Sequence, residues 1–264
     1  RSYDLRLGED LAVDFASGLS LNEKIPFVSL YSSDLQRAYD QLNHDAAKMK
    51  LPMVIGIDHS GLDPEGGSSN HGIFDISLIR SLPNIILAQG KDADEIRNLL
   101  HTGFQCDRPF FLRYPKGNLL LNDHAPESIP VGSWEYLINK EDPQLYIISY
   151  GSALLKISKM VLDNNLNYSV VNARFIKPID EALMEEILKK KKPIYLYTGD
   201  LIKGSLADEI MEFAVSKGLR ISMSVQGIDD TYVKHGSLSE LETSLRIDVK
   251  SLFDKIEEDK AKGR

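Results

Sequence analysis

The chain has 264 residues, 42% of them hydrophobic and 27% charged, which is enough apolar material for a sizeable buried core. Its 31 Lys and Arg against 39 Asp and Glu give a net charge of −8, which argues against a nucleic-acid binder with a basic surface. One cysteine excludes an intrachain disulfide framework and fits a reducing compartment, and no apolar run approaches the roughly 20 residues of a membrane span.

Short apolar runs alternate with helix-like stretches in the first part of the chain. The pattern predicts strands at 25–31, 51–58, 85–88 and 109–114, and helices at 33–50, 75–81 and 92–102. The run at 51–58, LPMVIGID, is almost continuously apolar, which is typical of a buried parallel strand. A glycine-rich loop at 60–72 follows it.

The stretch 119–132 interrupts this alternation with Asn, Asp, His, two Pro and a Gly, and we place an interdomain linker at 121–133. A second alternating series predicts strands at 145–149, 168–172, 194–197 and 219–225, and helices at 153–162, 180–189, 206–215, 239–245 and 249–258. Alternation of this kind predicts an α/β fold of two domains, each a mainly parallel sheet flanked by helices.

The common short motifs of enzyme sites are absent from the sequence. It has no P-loop, no GxGxxG after a strand, no HExxH and no GxSxG, and its six histidines show no metal-ligand spacing with Cys106. Because a fold by itself does not identify a function, these residues predict no more than an α/β protein that binds a ligand through loop 60–72.

Longer segments are more specific. They are YSSDLQRAYDQ at 31–41, HGIFD at 71–75, RYPKG at 113–117, RFIKPID at 174–180 and HGS at 235–237. In this order, and over nearly the whole chain, they resemble segments of the 1-deoxy-D-xylulose-5-phosphate synthase family, which is transketolase-like. The resemblance implies a pyrimidine-binding domain at 1–120 that lacks its usual start, and a transketolase C-terminal domain at 134–264.

The resemblance also implies an activity and its cofactors. Enzymes of this family are transferases that use thiamine diphosphate and Mg²⁺ to condense pyruvate with glyceraldehyde 3-phosphate, a precursor step for isoprenoids, thiamine and pyridoxal. They hold the diphosphate and the metal through a GDG…N motif in a preceding domain. No GDG occurs in this chain, so we assign it no metal ligand and expect the chain alone to be inactive.

Partners and compartment follow from the same resemblance. We expect a homodimer, or pairing with a diphosphate-binding domain, in the cytoplasm and without nucleic-acid or membrane partners. The chain starts at Arg1 rather than Met, inside what resembles a catalytic segment, and we therefore expect a truncation boundary there. The first residues are expected to form a strand that leads into Glu9.

Glu9 is the candidate for the central carboxylate of the site. The segment DLRLGEDLAV at 4–13 resembles the family's DxxxAEQHAV, whose glutamate hydrogen-bonds the aminopyrimidine ring of the cofactor. The residues alone leave open a simpler interpretation, namely a solvated glutamate in the first turn of a helix, where a negative charge is favoured.

The remaining candidates retain or replace family residues. Tyr31 and Arg37 stand where the family has an active-site tyrosine and arginine, and Arg113 of RYPKG is a candidate for binding a substrate phosphate. The alternatives are a half-buried core tyrosine and structural ion pairs. Asp34 stands where an aromatic packs on the aminopyrimidine, and it is as well suited to cap the following helix.

Two further positions carry substitutions. His59 replaces an arginine implicated in holding the aldehyde's phosphate, and a histidine cannot make the same two-pronged contact. Asn70 stands at the position of the catalytic histidine, with His71 one place later, and an asparagine cannot titrate near neutral pH. The resemblance therefore assigns catalysis to Glu9, Asn70 and His71, cofactor binding to Glu9, Tyr31, Asp34 and Arg37, and substrate binding to Tyr31, His59 and Arg113.

Three functional hypotheses stay open at this point. The chain is the C-terminal part of a family enzyme, the pyrimidine-binding subunit of an enzyme split over two polypeptides, or a catalytically impaired regulatory paralogue. A structural α/β interaction module is the least specific alternative.

Overall fold

The computed structural model of the chain describes residues 1–117 and 121–262, and these build two sheets of five strands. The first sheet has four parallel strands, β1 Phe27–Tyr31, β2 Val54–Asp58, β3 Ile86–Gln89 and β4 Phe110–Arg113, and a fifth strand, β8 Phe175–Lys177. Their order in the sheet is β1-β2-β4-β3-β8. The helices of this half are α1 Glu9–Leu21, α3 Asp75–Arg80 and α4 Ala93–Gly103. The four predicted strands are confirmed. Strands β2, β3 and β4 are apolar runs buried on both faces, whereas β1 alternates between exposed and buried residues, as expected of an edge strand.

The second sheet has the order β10-β9-β6-β7-β5. Its strands are β5 Glu135–Ile138, β6 Leu145–Ser149, β7 Tyr168–Asn172, β9 Ile194–Leu201 and β10 Met223–Ile228. The helices around it are α5 Ala153–Asp163, α6 Glu181–Lys189, α7 Leu206–Ser216, α8 Leu238–Ser244 and α9 Val249–Ala261. The α/β fold with two mainly parallel sheets is thus confirmed, although β5 joins β7 antiparallel and was not predicted.

The segment predicted as one helix over 33–50 has three geometries. Ser32–Ala38 is a 3₁₀ helix, Tyr39–Gln41 is a single α-helical turn that we label α2, and Leu42–Ala47 is a π-helix. The apolar face is as predicted, since Leu35 and Leu42 are completely buried. Tyr31, not Asp34, takes the N-cap position, so Asp34 does not cap this segment but lies within its first turn.

The amino-terminal residues also differ from expectation. Residues 1–8, all of which the structure describes, form no strand, and helix α1 begins at Glu9 itself. The ring of Tyr3 packs edge-to-face against Phe15 of α1, with 5.0 Å between the ring centroids. The first residues therefore lie along α1 rather than in the sheet.

The first sheet contains a strand from the second half of the sequence. Strand β8, Phe175–Lys177, lies in the second half of the sequence but pairs antiparallel with β3 at the edge of the first sheet. The buried indole of Trp134 donates a hydrogen bond of 2.8 Å to the Phe175 carbonyl, and Lys177 Nζ donates to the carbonyls of Arg80 and Leu82 at the end of α3. The domains consequently pack through a common core that includes Phe110 against Phe175.

The connection between the halves is packed rather than free. Residues 119 and 120 of the predicted break, and 263 and 264 of the predicted second domain, lie outside the described residues. Residues 121–133 form irregular structure along α4, where Arg97 donates to the Asn122 carbonyl at 2.8 Å and Ile129 N–H donates to Thr102 Oγ1 at 2.8 Å. Within the described ranges, no helix has the length and apolar character needed to span a membrane.

Loop 60–72 is closed at its base. Gly61 and Gly72 exchange two backbone hydrogen bonds of 2.7 Å each. A Cβ atom at Gly72 would lie 2.2 Å from the His59 carbonyl oxygen and 2.7 Å from Ser32 Cβ, so only glycine fits there. The loop is thereby pinned against the segments that follow β1 and β2.

Replacing Gly72 tests this constraint. We expect Gly72→Ala to lower the free energy of unfolding by about 1–3 kcal/mol, because backbone must move to accommodate the methyl group. Urea unfolding measures the change. Gly199→Ala is the matched control, since a Cβ there meets nothing within 4 Å. Equal losses in the two variants would contradict the assignment.

Candidate functional site

The carboxyl ends of three neighbouring parallel strands meet at one edge of the first sheet. Tyr31 ends β1, Asp58 ends β2 and Arg113 ends β4, and the strand register pairs Tyr31 with Asp58. Ligands of α/β proteins bind at this edge, because the loops that follow the strands converge there.

A cavity of about 1030 Å³ opens beside this edge, between the first residues, α1 and β1. Its wall includes Glu9, Tyr31, Asp34 and Asp58. Arg37 joins the group, since its Nη1 lies 3.7 Å from Glu9 Oε2. The fold therefore brings together all four residues assigned to cofactor binding.

Glu9 is a buried carboxylate. It is the first residue of α1, where the helix dipole favours a negative charge, and the residue is 8% exposed. The first-turn position was anticipated, but the interpretation as a solvated glutamate is wrong. A buried carboxylate requires a partner, and on this cavity wall it can accept a hydrogen bond from a ring N–H of a ligand.

Tyr31 and His59 form an aromatic pair at the strand ends. Tyr31 is 52% exposed, and its ring meets the His59 ring edge-to-face with 4.6 Å between centroids. His59 has a left-handed backbone with φ of 57°, which turns the chain out of β2. Its N–H donates to Asp58 Oδ1 at 2.7 Å, and its Nδ1 lies 3.1 Å from the same oxygen. Asp58 was not assigned a role, although its place at a strand end beside His59 was visible in the sequence.

Asn70 and His71 face different environments. Asn70 is exposed, and its N–H donates to the Gly67 carbonyl at 3.0 Å. His71 is 3% exposed, and both ring nitrogens are engaged with backbone: Nδ1 accepts from Asp63 N–H at 3.0 Å, and Nε2 donates to the Lys234 carbonyl at 3.2 Å. These contacts do not fit the assigned role of a catalytic acid or base, because backbone groups occupy both ring nitrogens of a buried side chain.

Arg113 is completely buried, with 0% exposure, and does not bind a substrate phosphate as assigned. Its Nε and Nη2 donate to the two Asp75 oxygens at 2.8 and 2.9 Å. Its Nη2 and Nη1 donate to the two Asp200 oxygens at 2.8 and 3.2 Å, and Nη1 also donates to the Gln89 side chain. With every guanidinium N–H paired, the structural ion-pair interpretation is the correct one.

The charges around Arg113 shift one another's proton affinities. Burial opposes the charge of Arg113, but Asp200 and Asp75 outweigh it and raise the pKa of the guanidinium above its usual range. Burial raises the pKa of Asp200, whereas Arg113 acts to lower it. Tyr150 donates to Asp200 at 2.8 Å, and burial raises the pKa of that phenol well above its usual value.

The described residues fit one end of thiamine diphosphate better than the other. A buried carboxylate beside a cavity suits the aminopyrimidine ring, although Asp34 offers no flat apolar face for it. Across residues 1–117 and 121–262, no group of three or more His, Cys, Asp or Glu side chains is placed to hold a metal ion. Among the described residues, the buried Glu9 beside the cavity is the feature that fits the pyrimidine end of this cofactor.

Comparison with known families gives two domain matches. Residues 1–120 match the model of the transketolase pyrimidine binding domain, and residues 135–252 match that of the transketolase C-terminal domain. Curated relatives include the 1-deoxy-D-xylulose-5-phosphate synthase of Listeria innocua, 40% identical over 90% of this chain and 38% of the relative. The synthase of Listeria monocytogenes is 38% identical over 98% of this chain and 43% of its own length. That of a Geobacillus species is 33% identical over 97% of this chain and 41% of its own length. The chain spans about two fifths of these relatives.

Solved structures share the fold at lower identity. One is described as a split gene transketolase, inactive beta4 tetramer, with a TM-score of 0.82 and 22% identity over 95% of this chain and 81% of its own. Another is the transketolase of Campylobacter jejuni, with a TM-score of 0.72 and 16% identity over 94% of this chain and 38% of its own.

The role of Arg113 can be tested by removing its charge. We expect Arg113→Met to lower the free energy of unfolding by about 3–5 kcal/mol, because Asp75 and Asp200 are left buried without their cation. Chemical denaturation measures the loss, and Arg220→Met, at an exposed position, is the control. Wild-type stability in Arg113→Met would refute a structural role.

Proposed function

Because the chain belongs to the transketolase family through both of its domains, we propose that it supplies the pyrimidine-binding half of a thiamine-diphosphate-dependent transferase similar to 1-deoxy-D-xylulose-5-phosphate synthase. The substrates of that reaction are pyruvate and glyceraldehyde 3-phosphate. Identities of 33–40% to such synthases over most of this chain support the choice. The pathway products, the Mg²⁺ requirement and a cytoplasmic location belong to the same proposal.

The observation that carries the proposal is the buried carboxylate of Glu9 on the cavity wall. Bound thiamine diphosphate supplies an electron sink for decarboxylation and carbon–carbon bond formation. Glu9 accepts a hydrogen bond from the cofactor's ring nitrogen and keeps a proton there. Arg37, 3.7 Å away, balances the charge of Glu9.

The other side chains orient ligands in this proposal. Tyr31 and Asp34 border the cofactor end of the cavity, and His59, held against Tyr31, contacts the acceptor substrate. The Asn70 side chain forms a hydrogen bond with the substrate, as donor or as acceptor. It transfers no proton, because an amide does not titrate. The diphosphate and its metal are held by residues of a second domain or chain.

Exposed apolar side chains support assembly with such a domain or with a second copy. Large hydrophobic residues are exposed just before α1, on α1 and on edge strand β1, namely Leu7, Leu11, Phe15 and Phe27. Exposed apolar patches of this kind mark interaction sites. Homodimerisation and pairing with a diphosphate-binding domain both use this face in our proposal.

A second candidate is the pyrimidine-binding subunit of an enzyme divided between two polypeptides. The structural matches favour it, because this chain covers 81% of the split gene transketolase chain but only 38% of the Campylobacter transketolase. The regulatory paralogue is a third candidate, motivated by Asp34, His59 and Asn70. All three candidates share the prediction that the chain alone does not turn over.

Complementation separates the two half-site candidates from the regulatory paralogue. The purified chain is mixed with the amino-terminal diphosphate-binding segment of the Listeria innocua synthase, with thiamine diphosphate, Mg²⁺, pyruvate and glyceraldehyde 3-phosphate. We expect no turnover by the chain alone and measurable 1-deoxy-D-xylulose-5-phosphate with the added segment. Turnover by the chain alone would refute the half-site proposal, whereas cofactor binding without turnover in the mixture would favour the regulatory paralogue.

Glu9→Gln tests the carboxylate in the same mixture. We expect turnover to fall by about 10²–10⁴-fold, because an amide cannot hold the proton at the ring nitrogen in the same way. Asp10→Asn is the matched control, since Asp10 is the adjacent acid of the same helical turn but is exposed. Full activity in Glu9→Gln would exclude the assigned role.

A further inference from the structure

We propose that His71 is a positioning residue, which holds loop 60–72 to the second domain and so presents Asn70 at the site. The inference rests on the proposed function for the role of Asn70. The connection between the loop and the second domain rests on contacts of the described residues alone.

The hydrogen bonds of His71 require one protonation state. Because Asp63 N–H donates to Nδ1 at 3.0 Å, that nitrogen must carry a lone pair. Because Nε2 lies 3.2 Å from the Lys234 carbonyl, it must carry the proton. The partners thereby assign the neutral Nε2–H tautomer.

Asp63 organises the turn that leads to Asn70. Its Oδ1 accepts from the N–H groups of Glu65 and Gly66 at 3.1 and 3.0 Å, and its carbonyl accepts from Gly67 N–H at 3.2 Å. The Gly67 carbonyl in turn accepts from Asn70 N–H. His71 holds the backbone of the residue on which this turn is built, so loss of its Nδ1 acceptor loosens the whole turn.

The other end of this connection belongs to the second domain. Lys234 follows Val233, which is buried in an apolar cluster with Ile73 of the first domain and Ile228 of the second. His235 lies against the loop as well, since its Cδ2 would be 3.1 Å from a Cβ at Gly67. Segment 233–235 therefore connects the second domain to the turn that carries Asn70, so a shift of that domain would move the turn.

Hydrogen exchange on the full chain tests this connection without cofactor or substrate. The variants are His71→Asn, whose Oδ1 replaces the Nδ1 acceptor, His71→Gln, whose amide reaches toward the Nε2 position, and His71→Phe, which removes both contacts. We expect protection of the Asp63 amide to fall about 10-fold or more in His71→Gln and His71→Phe, and to be retained in His71→Asn. Protection of the Ile55 amide in the core of β2 monitors global stability, and His44→Asn, at an exposed position, is the control.

Turnover gives a second readout. In the complemented enzyme, we expect His71→Phe to lower kcat about 10-fold. We expect His71→Asn to restore kcat in part, because Asn keeps the contact with Asp63 N–H but not the contact with the Lys234 carbonyl.

Two outcomes would overturn the proposal. One is equal Asp63 protection in wild type and His71→Phe, and the other is a loss of Asp63 protection in His71→Asn as large as the loss in His71→Phe. Because exchange is measured on the chain alone, these failures are independent of whether the mixture with a diphosphate-binding segment turns over.

Discussion

The structure depends on the buried ion pairs of Arg113. This one side chain joins β4, in which it lies, to Asp75 at the start of α3, to Gln89 at the end of β3 and to Asp200 in β9 of the second sheet. It also donates to the Gly72 carbonyl at 3.4 Å, where loop 60–72 ends. A buried guanidinium is tolerated only when its donors are satisfied, so the two domains must be in register for the core to close. The site edge of the first sheet is therefore built by both domains.

Other contacts across the boundary extend this dependence. Strand β8 completes the first sheet from the second half of the sequence, and Arg80 of α3 pairs with Glu209 of α7 at 2.5 Å. Lys91, Glu95, Glu135 and Arg174 form a second cluster of charges that joins α4 and the end of β3 to the second sheet. The loop with Asn70 is held between the halves by His71. A change in how the domains pack would consequently displace the loop more than Glu9, because the loop contacts the second domain and the helix of Glu9 belongs to the first.

Much of the fold was predictable because its signals are local. Continuous apolar runs located β2, β4, β6 and β7, and helices α4, α6 and α9 begin one residue after Asp92, Asp180 and Asp248, whose side chains cap them. The short antiparallel strands β5 and β8 were not predicted, because each is three or four residues long and is defined by its partner rather than by a pattern of its own. The mixed helix after β1 has the apolar spacing of an α-helix, so its 3₁₀ and π geometry could not be inferred from periodicity.

The sequence by itself determined the two-domain α/β class and the family, since these follow from hydrophobic pattern and from motifs that are contiguous in the chain. It also proposed Glu9, Tyr31 and Asp34, which line one cavity, and Arg37, which lies beside Glu9. Tertiary structure alone decided what Arg113 and His71 do. Both residue types suit either a substrate contact or a structural contact, and the choice depends on burial and on partners such as Asp200 and Lys234, which lie far away in the sequence. Burial is a property of the packed domains, and no local pattern encodes it for a polar side chain.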